Sequence, residues 1–285
     1  MKIKIAWYNI LRGFHKKESD GSFTFELKRL NSAKKIIKKL NPDILFIGEG
    51  DFNPRCKIRG QKRKIIDYKK EFNFPYFYYS KPDKTSRKGE VILSKIPFTA
   101  KNLSKGDYSN KNYTDIKCFF KLNKKKINVE IVHPYPTIPE KEKAKFIKKI
   151  LINAKNPYLL VGDFNALSPD DKYKKENLFK LFSQMSKDKK SAWKNVNEST
   201  KALMIKEVLK YGLIDTFKAK NKKQMITLPT KNYSPFKDKK IGIRLDYIFC
   251  SRDFKVLNSG IIKNKLTDIA SDHYPIYAVL EIKNA

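Results

Sequence analysis

Short apolar segments that end in a polar side chain recur along the chain, and they constrain its fold more than any other feature. Tyr158–Gly162 is apolar and leads into Asp163, and Ile44–Ile47 leads through a glycine into Glu49. Apolar runs of this length predict buried strands. Polar side chains at the ends of adjacent strands can meet at one edge of a sheet. Comparable segments begin or end at Asn9, His133, Asp246 and His273.

Amphipathic helices separate the predicted strands. Apolar residues recur at helical spacing in Leu27–Leu40 and Pro139–Ala154, and a long helical region is predicted over Lys172–Tyr211. The segments Lys117–Leu122 and Ile127–His133 predict a hairpin. This mixture favours an α/β chain in which residues 1–285 form one domain of packed sheets and outer helices. The other predicted strands are Lys2–Asn9, Phe77–Tyr79, Val91–Ser94, Leu245–Cys250 and Tyr274–Ile282.

A net charge of +34 over 285 residues favours a polyanionic partner. Only eight of the 63 basic residues are arginine, however, and an AT-rich genome would also enrich lysine codons. The charge therefore does not identify the polyanion. Three cysteines without a Cys-x-x-Cys pair, and no signal or membrane-spanning pattern, are typical of a cytoplasmic protein that does not act at membranes.

Several of the polar positions carry groups suited to phosphate chemistry. Asp163 and Asn165 are predicted to point to the same side at strand periodicity, where a carboxylate beside a carboxamide could hold a water and a phosphoryl oxygen. Asp246 enters an apolar strand, where an unpaired carboxylate is costly, so it needs a partner such as an imidazolium. His273 is one of only three histidines and follows Asp272. Carboxylate and carboxamide oxygens suit Mg²⁺ or Mn²⁺.

The order of these motifs resembles the endonuclease/exonuclease/phosphatase family, which includes deoxyribonuclease I and exonuclease III. The resemblance extends from Asn9 to His273 and implies a deoxyribonuclease I-like fold, a four-layer αββα sandwich of two packed mixed β-sheets. One departure is Gly48, where the family pattern has glutamine. The matching segments are Trp7-Tyr8-Asn9, Pro42-Asp43 to Gly48-Glu49, Leu93-Ser94-Lys95-Ile96-Pro97, Gly162-Asp163-Phe164-Asn165, Arg244-Leu245-Asp246-Tyr247 and Ser271-Asp272-His273.

The resemblance also implies roles for single residues. Glu49 is expected to be the main ligand of Mg²⁺ or Mn²⁺, helped by Asp272 and Asn9. Asp246 is expected to pair with His273, which acts at the scissile phosphate either as general base or as donor to a phosphate oxygen. The remaining expected roles are those of Asp163 on the attacking water and of Asn165 and His133 on phosphate oxygens.

The implied activity is hydrolysis of phosphodiester bonds in DNA or RNA. The protein is expected to be a monomer. A basic stretch after the Glu49 strand contains Arg55, Arg59 and Arg63, which are candidate contacts to a phosphate backbone. Abasic-site endonucleases resembling exonuclease III have tyrosine in place of His133, so that role is disfavoured. Two alternatives remain open, a hydrolase of small or lipid-derived phosphate esters and an inactive nucleic-acid-binding protein.

Overall fold

Two six-stranded sheets form the centre of the molecule. The computed structural model describes residues 1–52, 66–80, 88–103, 113–122, 125–236 and 241–283. The strands are β1 Lys2–Asn9, β2 His15–Lys17, β3 Phe23–Phe25, β4 Ile44–Phe52, β5 Tyr76–Tyr79, β6 Lys88–Ser94, β7 Phe98–Asn102, β8 Tyr113–Leu122, β9 Lys125–Pro134, β10 Tyr158–Asp163, β11 Ile214–Asp215, β12 Asp246–Cys250, β13 Phe254–Ile261 and β14 Ile276–Ile282.

The helices lie between these strands in the chain. They are α1 Leu11–Phe14, α2 Leu27–Leu40, α3 Tyr68–Phe72, α4 Glu140–Ile152, α5 Lys175–Ser183, α6 Lys189–Ser199, α7 Leu203–Lys210 and α8 Lys265–Ala270. The segment α1 is a single turn with a left-handed backbone, whose φ angles lie between 52° and 63°. Among the described residues, every helix is too short or too polar to cross a lipid bilayer.

Both sheets mix parallel and antiparallel pairs. The first has the order β13-β14-β1-β4-β6-β5 and the second the order β11-β12-β10-β9-β8-β7. Strand β1 is parallel to β4, and β10 is parallel to β9. The described strands and helices thus confirm the predicted four-layer sandwich.

Alternation along the strands creates three apolar layers. On β1, Ile3, Ile5 and Trp7 face the second sheet, whereas Ala6 and Tyr8 face the helices outside the first sheet. The outer layer of the first sheet includes residues from α2 and α8, and that of the second includes residues from α4 and α7. Strand periodicity therefore fills both faces of each sheet with apolar side chains.

The sequence predicted most elements and missed others. The hairpin β8–β9 and helix α2 are confirmed, and α2 ends at Asn41 in a left-handed conformation that favours a helix stop. The helical region predicted over Lys172–Tyr211 consists of three separate helices, α5, α6 and α7. Strand β13 and helix α8 were not predicted.

The register of one parallel and one antiparallel strand pair determines where the polar strand ends lie. Asn9 is level with Gly48 across β1 and β4, and Asp163 is level with Asp246 across β10 and β12. The first pair belongs to one sheet and the second pair to the other. Because Asn9 also contacts Asp163, the two sheets present these strand ends at a common edge.

Gly162 leaves no space for a side chain at this edge. A Cβ atom at this position would lie 1.9 Å from the carbonyl oxygen of Val132, and the residue has a φ of +154°. We expect Gly162→Ala to lower the free energy of unfolding by about 3 kcal/mol or more, since β9 and β10 would have to separate. Urea unfolding monitored by circular dichroism measures this loss.

Gly21→Ala is the matched control for the backbone effect. Gly21 also has a positive φ, +79°, but no atom of the described residues lies within 4 Å of its added Cβ. Its substitution should cost only about 1–2 kcal/mol of conformational strain. Equal losses for the two variants would contradict a steric role for Gly162.

Candidate active site

The carboxylate of Asp163 is the point on which the other polar side chains converge. Its Oδ2 atom lies 3.2 Å from Asn9 Nδ2, 3.5 Å from His133 Nε2 and 3.7 Å from His273 Nε2. Asp163 is buried. Burial and the neighbouring carboxylate of Asp246 raise its pKa, while the two histidines oppose that rise. A carboxyl group in this environment is suited to hold and deprotonate a water.

The pairing predicted for Asp246 and His273 is present. Asp246 Oδ2 accepts a hydrogen bond from His273 Nδ1 at 2.8 Å, and its Oδ1 accepts one from the indole Nε1 of Trp7 at 2.7 Å. Burial alone would lower the pKa of His273, but Asp246 and two further aspartates raise it to about 10. The imidazole is therefore held as a cation with Nε2 directed towards Asp163.

Glu49 projects from a distortion of its strand. The register of β4 against β6 shifts between Ile47 and Asp51, and Glu49 has a left-handed φ of 57°. Such bulges reorient side chains near active sites. Glu49 Oε2 accepts a hydrogen bond from the backbone N–H of Arg12 at 2.8 Å. The left-handed turn α1 thus contacts the candidate metal ligand directly.

Glu90 connects Glu49 to His133, and the sequence analysis missed it. Its Oε2 accepts from the backbone N–H of Glu49 at 3.0 Å, and its Oε1 from His133 Nδ1 at 2.9 Å. Burial alone would lower the pKa of His133, but Glu90, Asp163 and Glu49 raise it to about 9. A carboxylate before the apolar run Val91–Ser94 was the available signal, the same one that identified Asp246.

Asn165 does not extend the strand of Asp163. Strand β10 ends at Asp163, and Asn165 has a left-handed φ of 44°. The expectation that strand periodicity points both side chains the same way is therefore wrong. Asn165 Nδ2 instead donates to the carbonyl of Pro134 at 2.9 Å, and its backbone N–H donates to Asp163 Oδ1 at 2.9 Å. The buried Lys143 donates to the carbonyl of Asn165.

A buried arginine joins the segment that follows Asn9 to the segment that precedes Asp272. Arg29 Nη2 donates to the carbonyls of Ile10 and Leu11 at 2.6 and 3.0 Å, and its Nε donates to the carbonyl of Ala270 at 2.9 Å. Ser271 Oγ also donates to the carbonyl of Asn9, at 2.7 Å. The sequence indicated no special role for Arg29, since it lies within a lysine-rich helix.

Two sets of side chains have donor atoms that suit a metal ion. Asn9, Glu49 and Asp272 offer the hard oxygen ligands expected from the sequence. A second set, which was expected to act on water and phosphate, comprises Asp163, Asp246 and His273, whose ligand atoms all lie within 4.8 Å of one another. The candidate substrate contacts Arg55, Arg59 and Arg63 lie outside the described residues.

Most of the chain matches the sequence pattern of a known protein family. The sequence model described as "Endonuclease/Exonuclease/phosphatase family" matches residues 6–273. No curated protein is similar enough in sequence to match the chain.

Solved structures show the same fold at low sequence identity. A family protein from Leptotrichia buccalis is 19% identical, with a TM-score of 0.63, over 98% of this chain and 100% of that one. An AP endonuclease from Archaeoglobus fulgidus is 16% identical, with a TM-score of 0.62, over 98% and 100%. D. rerio TDP2, complexed with a single-strand DNA product, is 16% identical, with a TM-score of 0.60, over 98% and 99%.

The contact between Glu90 and His133 predicts a pH effect on stability. The pKa of His133 is about 9 in the folded protein and about 6.5 in an unfolded chain. Its stabilising contribution is complete below about pH 6.5 and is lost as the pH rises to about 9. Glu90→Gln removes the attracting charge, so the pKa of His133 should fall and this loss should become smaller.

Histidine NMR titration in EDTA measures the pKa, and urea unfolding across the same pH range measures the stability. Only His15, His133 and His273 contribute histidine signals. His15 is the internal control, because its described ring contacts are Phe25 and the carbonyl of Arg12. An unchanged His133 titration in Glu90→Gln would contradict this electrostatic assignment.

Proposed function

Because the chain belongs to the endonuclease/exonuclease/phosphatase family, we propose that it is a divalent-metal-dependent phosphodiesterase that hydrolyses DNA or RNA. The observation that carries this proposal is the placement of Asp163 between the half-buried imidazole of His133 and the buried imidazole of His273. His133 Nε2 and His273 Nε2 lie 3.5 and 3.7 Å from its Oδ2 atom. A carboxylate that can act as the base for water therefore lies within 4 Å of two imidazole groups that can donate to phosphate oxygens.

The residues divide the chemistry between them. Asp163 orients the attacking water and takes its proton, a role favoured by its raised pKa. His273, kept protonated by Asp246, and His133, kept protonated by Glu90, donate to phosphate oxygens on which negative charge develops. One N–H of the Asn165 amide donates to the carbonyl of Pro134, and in this proposal the other donates to the same phosphate.

The donor atoms of Glu49, Asp272 and Asn9 fit a hard cation and would hold Mg²⁺ or Mn²⁺. A bound ion would supply further neutralisation of the phosphate charge. The hydrogen bond from the backbone N–H of Arg12 to Glu49 Oε2 orients this carboxylate. Substrate cleavage is therefore expected to require a divalent cation.

A basic cleft beside Asp272 supports a polyanionic substrate. It has a volume of about 560 Å³ and reaches from Asp272 to Arg12 and the exposed side chains of Lys17 and Lys28. Five basic residues line it against three acidic ones, which include Glu26 and Asp268. Among the described residues, this cleft is a surface that a phosphate backbone can follow from the candidate active site. The basic stretch with Arg55, Arg59 and Arg63 lies outside those residues and stays a prediction. A chain of phosphates occupies such a cleft better than a single phosphate group does.

The proposal predicts metal-dependent cleavage of oligonucleotides. Labelled single- and double-stranded DNA, RNA, 5′-tyrosyl-DNA and inositol phosphates are incubated in parallel with the protein and Mg²⁺. An oligonucleotide should be the best substrate, and EDTA should abolish its cleavage. Better turnover of inositol phosphates would favour a small-ester hydrolase, and full activity in EDTA would contradict the proposed metal requirement.

Glu49→Gln tests the metal site in particular. The substitution retains the shape of the side chain but removes its charge, so the Mg²⁺ concentration for half-maximal activity should rise at least about tenfold, with reduced turnover. A Mg²⁺ titration of the cleavage rate measures both quantities. Glu142→Gln is the matched control, since Glu142 lies on α4 and pairs with Lys145; it should behave as wild type.

The basic cleft predicts a strong dependence of affinity on salt. For a duplex, the logarithm of affinity should fall with the logarithm of salt concentration with a slope of roughly −0.9 per phosphate contacted. Lys17→Ala with Lys28→Ala should flatten that slope by about one unit per lost contact. Fluorescence anisotropy of a labelled duplex in EDTA, where cleavage is not expected, measures it.

The matched control removes two lysines from another surface. Lys206 and Lys210 are exposed on α7, outside the second sheet. Lys206→Ala with Lys210→Ala removes the same charge and should leave the slope unchanged. Equal effects of the two pairs would mean that the protein's overall charge, and not this cleft, attracts the duplex.

A further inference from the structure

Trp7 is a core residue that also contacts Asp246 and His133 of the candidate active site. Its indole is fully buried between the two sheets. The Nε1–H group donates to Asp246 Oδ1 at 2.7 Å, and the ring meets His133 edge-on with centroids 6.4 Å apart. Asp246 uses its other oxygen to hold His273 at 2.8 Å. The carboxylate is thus fixed from two sides, by an indole and by an imidazole.

Gly48 provides the space that the indole occupies. A Cβ atom on Gly48 would lie 2.6 Å from Cζ2 and 2.9 Å from Cη2 of Trp7. Contacts under 3.0 Å between such atoms are not tolerated, so any side chain here would displace the ring. Glycine at the position where the family pattern has glutamine is therefore matched to the large ring at position 7.

We propose that Trp7 is a positioning residue for the Asp246–His273 pair and that Gly48 is required for this role. The inference rests on the proposed function, in which His273 donates to the phosphate. A carboxylate that accepts from one donor only can rotate about its Cβ–Cγ bond. The indole blocks that rotation, because it holds Oδ1 while His273 holds Oδ2. The orientation of the imidazole then depends on a residue of the hydrophobic core.

The first experiment observes the contact without altering Trp7. The chain has two tryptophans, so a ¹H–¹⁵N spectrum contains two indole signals, and the partly exposed Trp193 serves as the internal reference. The Trp7 signal should lie downfield and exchange slowly, because its proton is buried against a carboxylate. In Asp246→Asn it should move upfield while that of Trp193 stays in place. An unmoved Trp7 signal would overturn the proposal.

The second experiment separates positioning from packing. Trp7→Phe retains an aromatic core residue but has no N–H group, and we expect kcat to fall about 10- to 100-fold with KM changed less than about twofold. Circular dichroism confirms that the variant is folded at the assay temperature. A residue that only packs would lower the melting temperature and leave kcat of the folded enzyme within about twofold of wild type, which would contradict the proposal.

The third experiment tests the match between the two positions. Gly48→Ala in the wild-type chain should lower kcat about as much as Trp7→Phe does, because the new methyl group displaces the indole. In the Trp7→Phe background the same alanine should cost less than about twofold, since phenylalanine lacks the atoms it would meet. Additive losses would refute the match. If the wild-type protein cleaves no phosphodiester, the proposed function fails, and the NMR experiment alone decides whether Trp7 holds Asp246.

Discussion

The arrangement of the candidate active site depends on buried carboxylates, whose negative charge must be paired. Glu49, Glu90, Asp163 and Asp246 are all buried where the two sheets meet. An isolated carboxylate in such a place is strongly unfavourable, and the cationic imidazoles of His133 and His273 offset part of that cost. Each imidazole therefore lies between two carboxylates, His133 between Glu90 and Asp163 and His273 between Asp246 and Asp163. The same pairing that permits burial arranges the groups for phosphate chemistry.

Backbone geometry and core packing maintain this arrangement. The parallel pairs β1–β4 and β9–β10 bring strand ends to one edge, and the strained backbone of Glu49 turns its side chain out of the sheet. Arg29 fixes the loops on either side with bonds to backbone carbonyls. A substitution in the core can therefore change the geometry of the site without touching a substrate.

Strand periodicity predicted a domain of packed sheets with outer helices, and the resemblance to the family implied the four-layer sandwich and the Asp246–His273 pair. They were not sufficient for Glu90 or Arg29, whose roles depend on contacts between residues distant in the chain. The direction predicted for the Asn165 side chain was wrong, because the strand ends at Asp163 and Asn165 itself has a left-handed backbone. The sequence pattern predicted Trp7 only as an apolar residue of the first strand. Its hydrogen bond from Nε1 to Asp246 Oδ1 is evident only in the tertiary structure. Local patterns thus predict the elements, while the partners of buried charges require the tertiary structure.

In the proposed mechanism, Asp163 is the base for a water that attacks a phosphodiester. This role is tested by the single-turnover rate of oligonucleotide cleavage by Asp163→Asn at saturating Mg²⁺, compared with wild type. Asparagine preserves the shape and can accept from His133 or His273, but it cannot take a proton. The rate should fall about 100-fold or more while the far-ultraviolet circular dichroism spectrum stays unchanged. A folded Asp163→Asn protein that cleaves at the wild-type rate would contradict the account.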